Sequence, residues 1–285
     1  MEGTMSAALV ALRCRTSDRT PAAGRGVDEL TPLVAKRLGR EARLIGEPGA
    51  PAPTSYEDDL REHRGCLLEA GGQVEDALGG GNVPVLLAAE CSIAATTLPA
   101  VASRRPDAKV LWLDAHADFN TPDTTPSGYL GGMALAAATA RWDAGLTERS
   151  FPLDQVVLAG VRDLDEPERE ALEGGPVTVI GASPIETLVA VKNALDGAPV
   201  YIHLDLDVID PEEFPAQFPA PGGLAAEKLY DLLEAVADDC EVVGMEITAF
   251  EAPQDELERQ AAASTAIHVL EPLLDAIPEE ANVSH

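Results

Sequence analysis

Lysine is nearly absent from this chain: four lysines stand in 285 residues against 49 aspartates and glutamates, and the formal net charge is −29 with a pI near 4.3. A surface this acidic repels polyanions, which excludes nucleic acid and an anionic membrane as expected partners. Small cationic or zwitterionic ligands fit it, although a solvated, salt-tolerant surface accounts for the charge equally well. Long apolar runs are missing too. No stretch approaches about eighteen consecutive apolar residues, and the amino terminus has no basic segment followed by a long apolar core, so neither a membrane span nor a signal peptide is expected. The cysteines, Cys14, Cys66, Cys91 and Cys240, show no CxxC spacing. Neither a disulfide framework nor a zinc knuckle is indicated, and a reducing cytoplasm is the default location. There is no internal repeat, and no low-complexity tract beyond Ala-rich helices. What is present suffices for a core: apolar residues make up 46% of the chain, and one large α/β domain over residues 1–285 is expected.

Two stretches carry the chemistry. In Val110 to Met133, VLWLDAHADFNTPDTTPSGYLGGM, an apolar run with the composition of a buried strand breaks into Asp114, His116 and Asp118. Alternate residues of an extended segment point the same way, so these three can converge just past the strand's carboxyl end. Two carboxylates and an imidazole suit a divalent cation such as manganese. In Tyr201 to Pro211, YIHLDLDVIDP, a second apolar strand runs into Asp205, Asp207 and Asp210. Carboxylates buried beside a hydrophobic strand repel one another and lose hydration unless cations neutralise them. Either stretch alone reads equally as a solvated polar loop; together they imply one metal site.

Taken in order, the chain alternates. Strands are expected at Ala7–Leu12, Arg43–Ile45, Val83–Ala89, Val110–Leu113, Gln155–Gly160, Val177–Ile180, Val200–Leu204 and Glu241–Ile247. Helices are expected at Val27–Leu38, Tyr56–Leu78, Ile93–Ser103, Met133–Ala144, Glu166–Glu173, Pro184–Leu195, Leu224–Ala237 and Asp255–Leu274, with a frayed tail after Pro278. Continuously apolar strands alternating with helices indicate a mostly parallel sheet of about eight strands, covered on both faces. Ligands of such sheets bind outside the carboxyl ends of the strands. Cys91, Asp114, Asp165, Asp205 and Glu246 all fall at or just after the ends of separate strands. His203 points to the same side as Asp205 and reads more simply as a hydrogen-bonded core histidine, and Trp112 reads as core.

DAHADFNTP, HLDLDVIDP and MEIT resemble the binuclear manganese ureohydrolases, the arginase and agmatinase family, over roughly Val83 to Leu274. The resemblance implies a three-layer α/β/α fold and two manganese ions that activate a hydroxide for attack on a guanidino carbon. Carried over by position, Asp114 and Asp205 bridge the metals and His116 and Asp207 bind one of them. Asp118 binds the other and holds the hydroxide. Glu246 matches the acidic residue of the guanidinium pocket, with Glu251 as the alternative. Asn120 and Ser127 match contacts to an amino acid's carboxylate, or serve as turn formers, and Asp165 faces its α-amino group. A homo-oligomer is also common in the family.

Three departures matter. Where the family reads GGDHS, this chain has Ala88, Ala89, Glu90, Cys91 and Ser92, so the expected histidine ligand is Cys91. Cys91 is then either a soft ligand that leaves one manganese site weak or suited to a softer ion, or an inert buried thiol. Gly131 stands where arginases carry a proton-shuttling histidine, and Tyr129 replaces an amide. The run from Cys91 through Met133, with its DFNTP and GYLGGM, is similar to the branch of the family that hydrolyses Nω-hydroxy-L-arginine to ornithine and hydroxyurea. The resemblance thus implies a metal-dependent amidinohydrolase acting on Nω-hydroxyarginine or a close relative. An ordinary arginase or related ureohydrolase, and a silent binding relative, are the alternatives.

Overall fold

Residues 6–183 and 186–278 are described by the computed structural model, and along them strands and helices alternate almost without exception. The strands are β1 (Ala7–Leu12), β2 (Arg43–Ile45), β3 (Val83–Leu87), β4 (Lys109–Leu113), β5 (Val156–Val161), β6 (Thr178–Gly181), β7 (Val200–Asp205) and β8 (Val242–Thr248). The helices are α1 (Pro21–Leu38), α2 (Tyr56–Glu62), α3 (Arg64–Gly79), α4 (Ala94–Arg104), α5 (Ala134–Ala138), α6 (Glu166–Leu172), α7 (Glu186–Leu195), α8 (Ala226–Asp239) and α9 (Glu256–Asp275). All eight strands form one parallel sheet in the order β2-β1-β3-β8-β7-β4-β5-β6.

The period-two alternation of the strands divides the core. Leu111 and Leu113 of β4 join Val27, Leu30 and Val34 of α1, Leu229 and Leu233 of α8 and Val269 of α9 in one apolar layer. Val110 and Trp112 join Val74 of α3, Leu98 and Val101 of α4 and Leu135 of α5 in the other. Apolar side chains of this size contribute about 1.5–3 kcal/mol each when fully buried, which is why central strands need no polar face. The result is the three-layer α/β/α arrangement, with β3, β8, β7 and β4 side by side at its centre. Their carboxyl ends form a common rim.

Two helices differ from expectation. The Tyr56–Leu78 helix is broken at His63, whose backbone leaves helical geometry between α2 and α3. His63 Nε2 lies 2.6 Å from the buried Arg15 guanidinium, which also donates to Asp59 Oδ1 at 3.0 Å, so a tertiary ion pair fixes the break. The Met133–Ala144 helix stops at Ala138, because the Ala138 carbonyl accepts Phe151 N–H at 2.8 Å and Ala140 adopts a left-handed φ of 57°. Cys14 and Cys66, expected to be unpaired, form a disulfide with Cα atoms 6.1 Å apart. A separation of 52 residues hid this pairing from spacing arguments. Cys91 and Cys240 are free. Pro184 and the tail beyond Pro278 lie outside the described residues. Among the described residues, no helix is long and apolar enough to cross a membrane.

Candidate metal centre and active site

Four neighbouring strand ends bring the acidic side chains together. Asp114 leaves β4 with its carboxylate held twice: Oδ2 accepts the Trp112 indole N–H at 2.9 Å, and Oδ1 accepts the His116 backbone N–H at 2.6 Å. Trp112 is core, as expected, but it also aims this carboxylate. From β7, Asp205 Oδ1 accepts the Asp207 N–H at 2.7 Å and Oδ2 accepts the Cys91 thiol at 2.9 Å. Asp207 Oδ1 accepts the Ala115 N–H at 2.8 Å, which ties the β7 end to the β4 end. Asp118 is buried at a left-handed φ of 48°, a conformation aspartate tolerates better than most residues. Asp210, the third acid of the second stretch, is not part of this group; it accepts the N–H groups of Glu212, Gly222 and Gly223 in a turn.

His116 sits where a cation belongs. Its Nδ1 is 2.9 Å from Asp207 Oδ2 and 3.3 Å from Asp114 Oδ1. Burial disfavours the imidazolium, but hydrogen bonds to Asp114 and Asp207 and their charges outweigh it and push His116 up to about 12. The carboxylates show the complementary stress. Burial, then the Asp114 charge, raises Asp207 to about 6. Burial followed by neighbouring carboxylates lifts Asp118 and Asp205 well above the usual range. The Cys91 thiol is likewise pushed up by burial and by Asp205, Asp118 and Asp114. A cluster so short of positive charge is what a divalent cation would relieve.

Two donor sets could hold such ions. Asp114, His116 and Asp207 form one, with ligand atoms all within 4.8 Å of one another; Cys91, Asp114 and His203 form the other at the same spacing. The donor chemistry therefore fits metal binding, and Asp114 is common to both sets.

On the ligand side, Asn120 Nδ2 donates to Asp165 Oδ2 at 2.9 Å, joining two of the expected amino-acid contacts. Ser127 lies on an exposed loop, its Oγ accepting the Tyr129 N–H at 3.2 Å. Glu246 is fully buried, with Oε1 at 2.6 Å from His203 Nδ1 and Oε2 accepting the Tyr201 hydroxyl at 3.0 Å, so each oxygen already has a partner within the fold. Glu251 takes the Thr20 hydroxyl with its carboxylate at 2.7 and 2.8 Å.

Residue types alone did not single out the Tyr129–Glu90 contact. The phenol donates to the buried Glu90 carboxylate, Arg19 lies 4.5 Å over its ring and Phe218 packs at 5.1 Å. A Cβ on Gly131 would come within 2.4 Å of this ring, so the phenol fills the space that a side chain at 131 would need. Gly131→Ala is expected to cost about 1–3 kcal/mol with Tyr129 in place, and clearly less in a Tyr129→Ala background. A double-mutant cycle by denaturant titration reads this coupling; strictly additive effects would show that the ring does not occupy that space.

The sequence model of the Arginase family matches residues 53–274. The N(omega)-hydroxy-L-arginine amidinohydrolase of Streptomyces lavendulae is 35% identical over 94% of this chain and 97% of its own length. The arginase of Bacillus caldovelox is 31% identical over 68% of this chain and 70% of its own. The crystal structure of arginase from Bacillus subtilis superposes with a TM-score of 0.82 at 21% identity, covering 94% of this chain and 98% of that one, a likeness of fold.

Proposed function

The chain belongs to the arginase family, hydrolases that act on guanidino compounds, and we propose that its substrate is Nω-hydroxy-L-arginine, cleaved by water to L-ornithine and hydroxyurea. The observation that carries this reading is the phenol lodged over Gly131. With no basic side chain at 131 to pass a proton to the departing amine, the site favours a guanidine that is easier to attack. N-hydroxylation supplies this by lowering guanidine basicity. The relative from Streptomyces lavendulae, matched along nearly its whole length, carries that activity in its name.

Within this reading the side chains divide the work over a single domain. Divalent ions held here, manganese in the first instance, would supply Lewis acidity that lowers the pKa of water and offsets negative charge developing at the guanidino carbon. Asp114, His116 and Asp207 would hold one ion; Cys91, Asp114 and Asp205 face the other. Asp118, buried among these groups, is placed to accept the water's proton and to return it to the nitrogen that departs with ornithine as its bond to the guanidino carbon breaks. The Asn120–Asp165 pair and Ser127 would receive the amino-acid end.

The test is a comparison of kcat/KM for Nω-hydroxy-L-arginine, L-arginine and agmatine by the manganese-loaded chain. Hydroxyarginine is expected to exceed arginine by at least about tenfold, roughly 1.4 kcal/mol, with agmatine poorest. Equal or better use of arginine would make this an ordinary arginase.

A further inference from the structure

We infer that His203 is a metal ligand, completing with Cys91 and Asp114 a thiolate–imidazole–carboxylate pocket for one ion. The inference rests on the metal-dependent reading above and adds to it a residue from the interior of a strand.

Register places His203 there. Trp112 of β4, His203 of β7 and Glu246 of β8 are direct neighbours across three strands. Trp112 stacks on the imidazole at 3.5 Å between ring centroids and an interplanar angle of 12°, which fixes the plane of the ring. Glu246 fixes its rotation: Nδ1 lies 2.6 Å from Oε1. A carboxylate partner calls for the hydrogen on Nδ1, which leaves Nε2 to present a lone pair. That nitrogen is fully buried and has no hydrogen-bond partner. A buried ring nitrogen without a partner costs about 1–3 kcal/mol, so its retention calls for an occupant.

A ring nitrogen of His203, the Cys91 sulfur and an Asp114 oxygen all lie within 4.8 Å of one another. Ligands about 2.0–2.3 Å from a common ion stand this close. Glu246, whose second oxygen is steadied by Tyr201, then acts as the outer carboxylate that orients a ligating histidine. Its burial follows from that role. On coordination the Cys91 proton, now shared with Asp205 at 2.9 Å, leaves to solvent. Sulfur and nitrogen donors shift the preference of this pocket from manganese toward zinc, cobalt or cadmium.

The experiment uses the intact chain, stripped of metal and titrated with an NMR-active cadmium isotope, with proton–cadmium correlations recorded. The cadmium resonance that couples to the Cys91 β-protons is expected to couple also to ring protons of His203. Coupling to Cys91 without coupling to His203 would overturn the assignment of His203 while leaving the metal centre intact. Absence of any cadmium bound at Cys91 would overturn the pocket as a whole, and retention of cadmium at His116 in that case would preserve the hydrolase reading.

Discussion

Asp205→Asn is expected to abolish most hydrolysis while making the metal-free protein more stable. Asparagine keeps the shape of the side chain and one oxygen to accept the Asp207 N–H at 2.7 Å, so backbone geometry at the end of β7 survives. What is lost is a negative charge. Burial is the largest influence holding the Asp205 carboxyl far above its ordinary range, followed by the charges of Asp207 and Asp114; without a cation, ionising it opposes the fold. A neutral amide removes the cost of protonating this carboxyl on folding, or of burying it ionised, and is expected to stabilise the metal-free chain by about 1–2 kcal/mol, or a few degrees in Tm. Loss of a ligand acting on the charge of the reacting centre should cost on the order of a thousandfold in kcat/KM, about 4 kcal/mol. Thermal scans with chelator and with manganese, beside steady-state rates, separate the two effects. A lower Tm in chelator would mean that the carboxylate supports the fold by itself. Asp210→Asn, five residues on and confined to a turn, should leave the rate within a few-fold.

These opposed effects reflect what could be read along the chain and what could not. Strands that end in aspartate are visible in one dimension, because a buried parallel strand is apolar throughout and its ligands follow immediately; Asp114, Asp205 and Asp207 meet for that reason. Partners drawn from other strands are invisible there. Glu246 was recognisable as an acid at a strand end, yet its neighbours His203 and Tyr201 lie 43 and 45 residues away and reach it only through the pairing of β7 with β8. A hydrogen-bonded core histidine, the expectation for His203, describes Nδ1 and omits Nε2. The Tyr129 ring over Gly131 likewise depends on a side-chain rotation that no spacing encodes. The breaks at His63 and Ala138 come from tertiary hydrogen bonds that override helical periodicity.

The metal-free protein is expected to lose stability as pH rises from about 5 to about 8, and saturating manganese is expected to reverse the trend. Asp207 is raised by burial and Asp114 from 3.8 to about 6, so over that interval the native state binds more protons than the unfolded chain. Stability must then fall as pH climbs through it. His116 acts in the same direction. Raised by Asp114 and Asp207, against burial, from 6.5 to about 12, it contributes in full below about 6.5 and progressively less as pH rises toward its folded value. Metal binding inverts the sign, because its ligands must be deprotonated and affinity grows with pH. An ion present at about a hundred times its Kd stabilises the native state by about 2.7 kcal/mol. Midpoints measured across this range in chelator and in manganese should therefore diverge, with the gap widest at the alkaline end. A chelator curve that stays flat or rises would mean that the cluster does not take up protons on folding, and the case for a cation between these carboxylates would lose its electrostatic basis. In Asp205→Asn the chelator curve should be shallower than in the parent, since one of the groups that binds a proton on folding is gone.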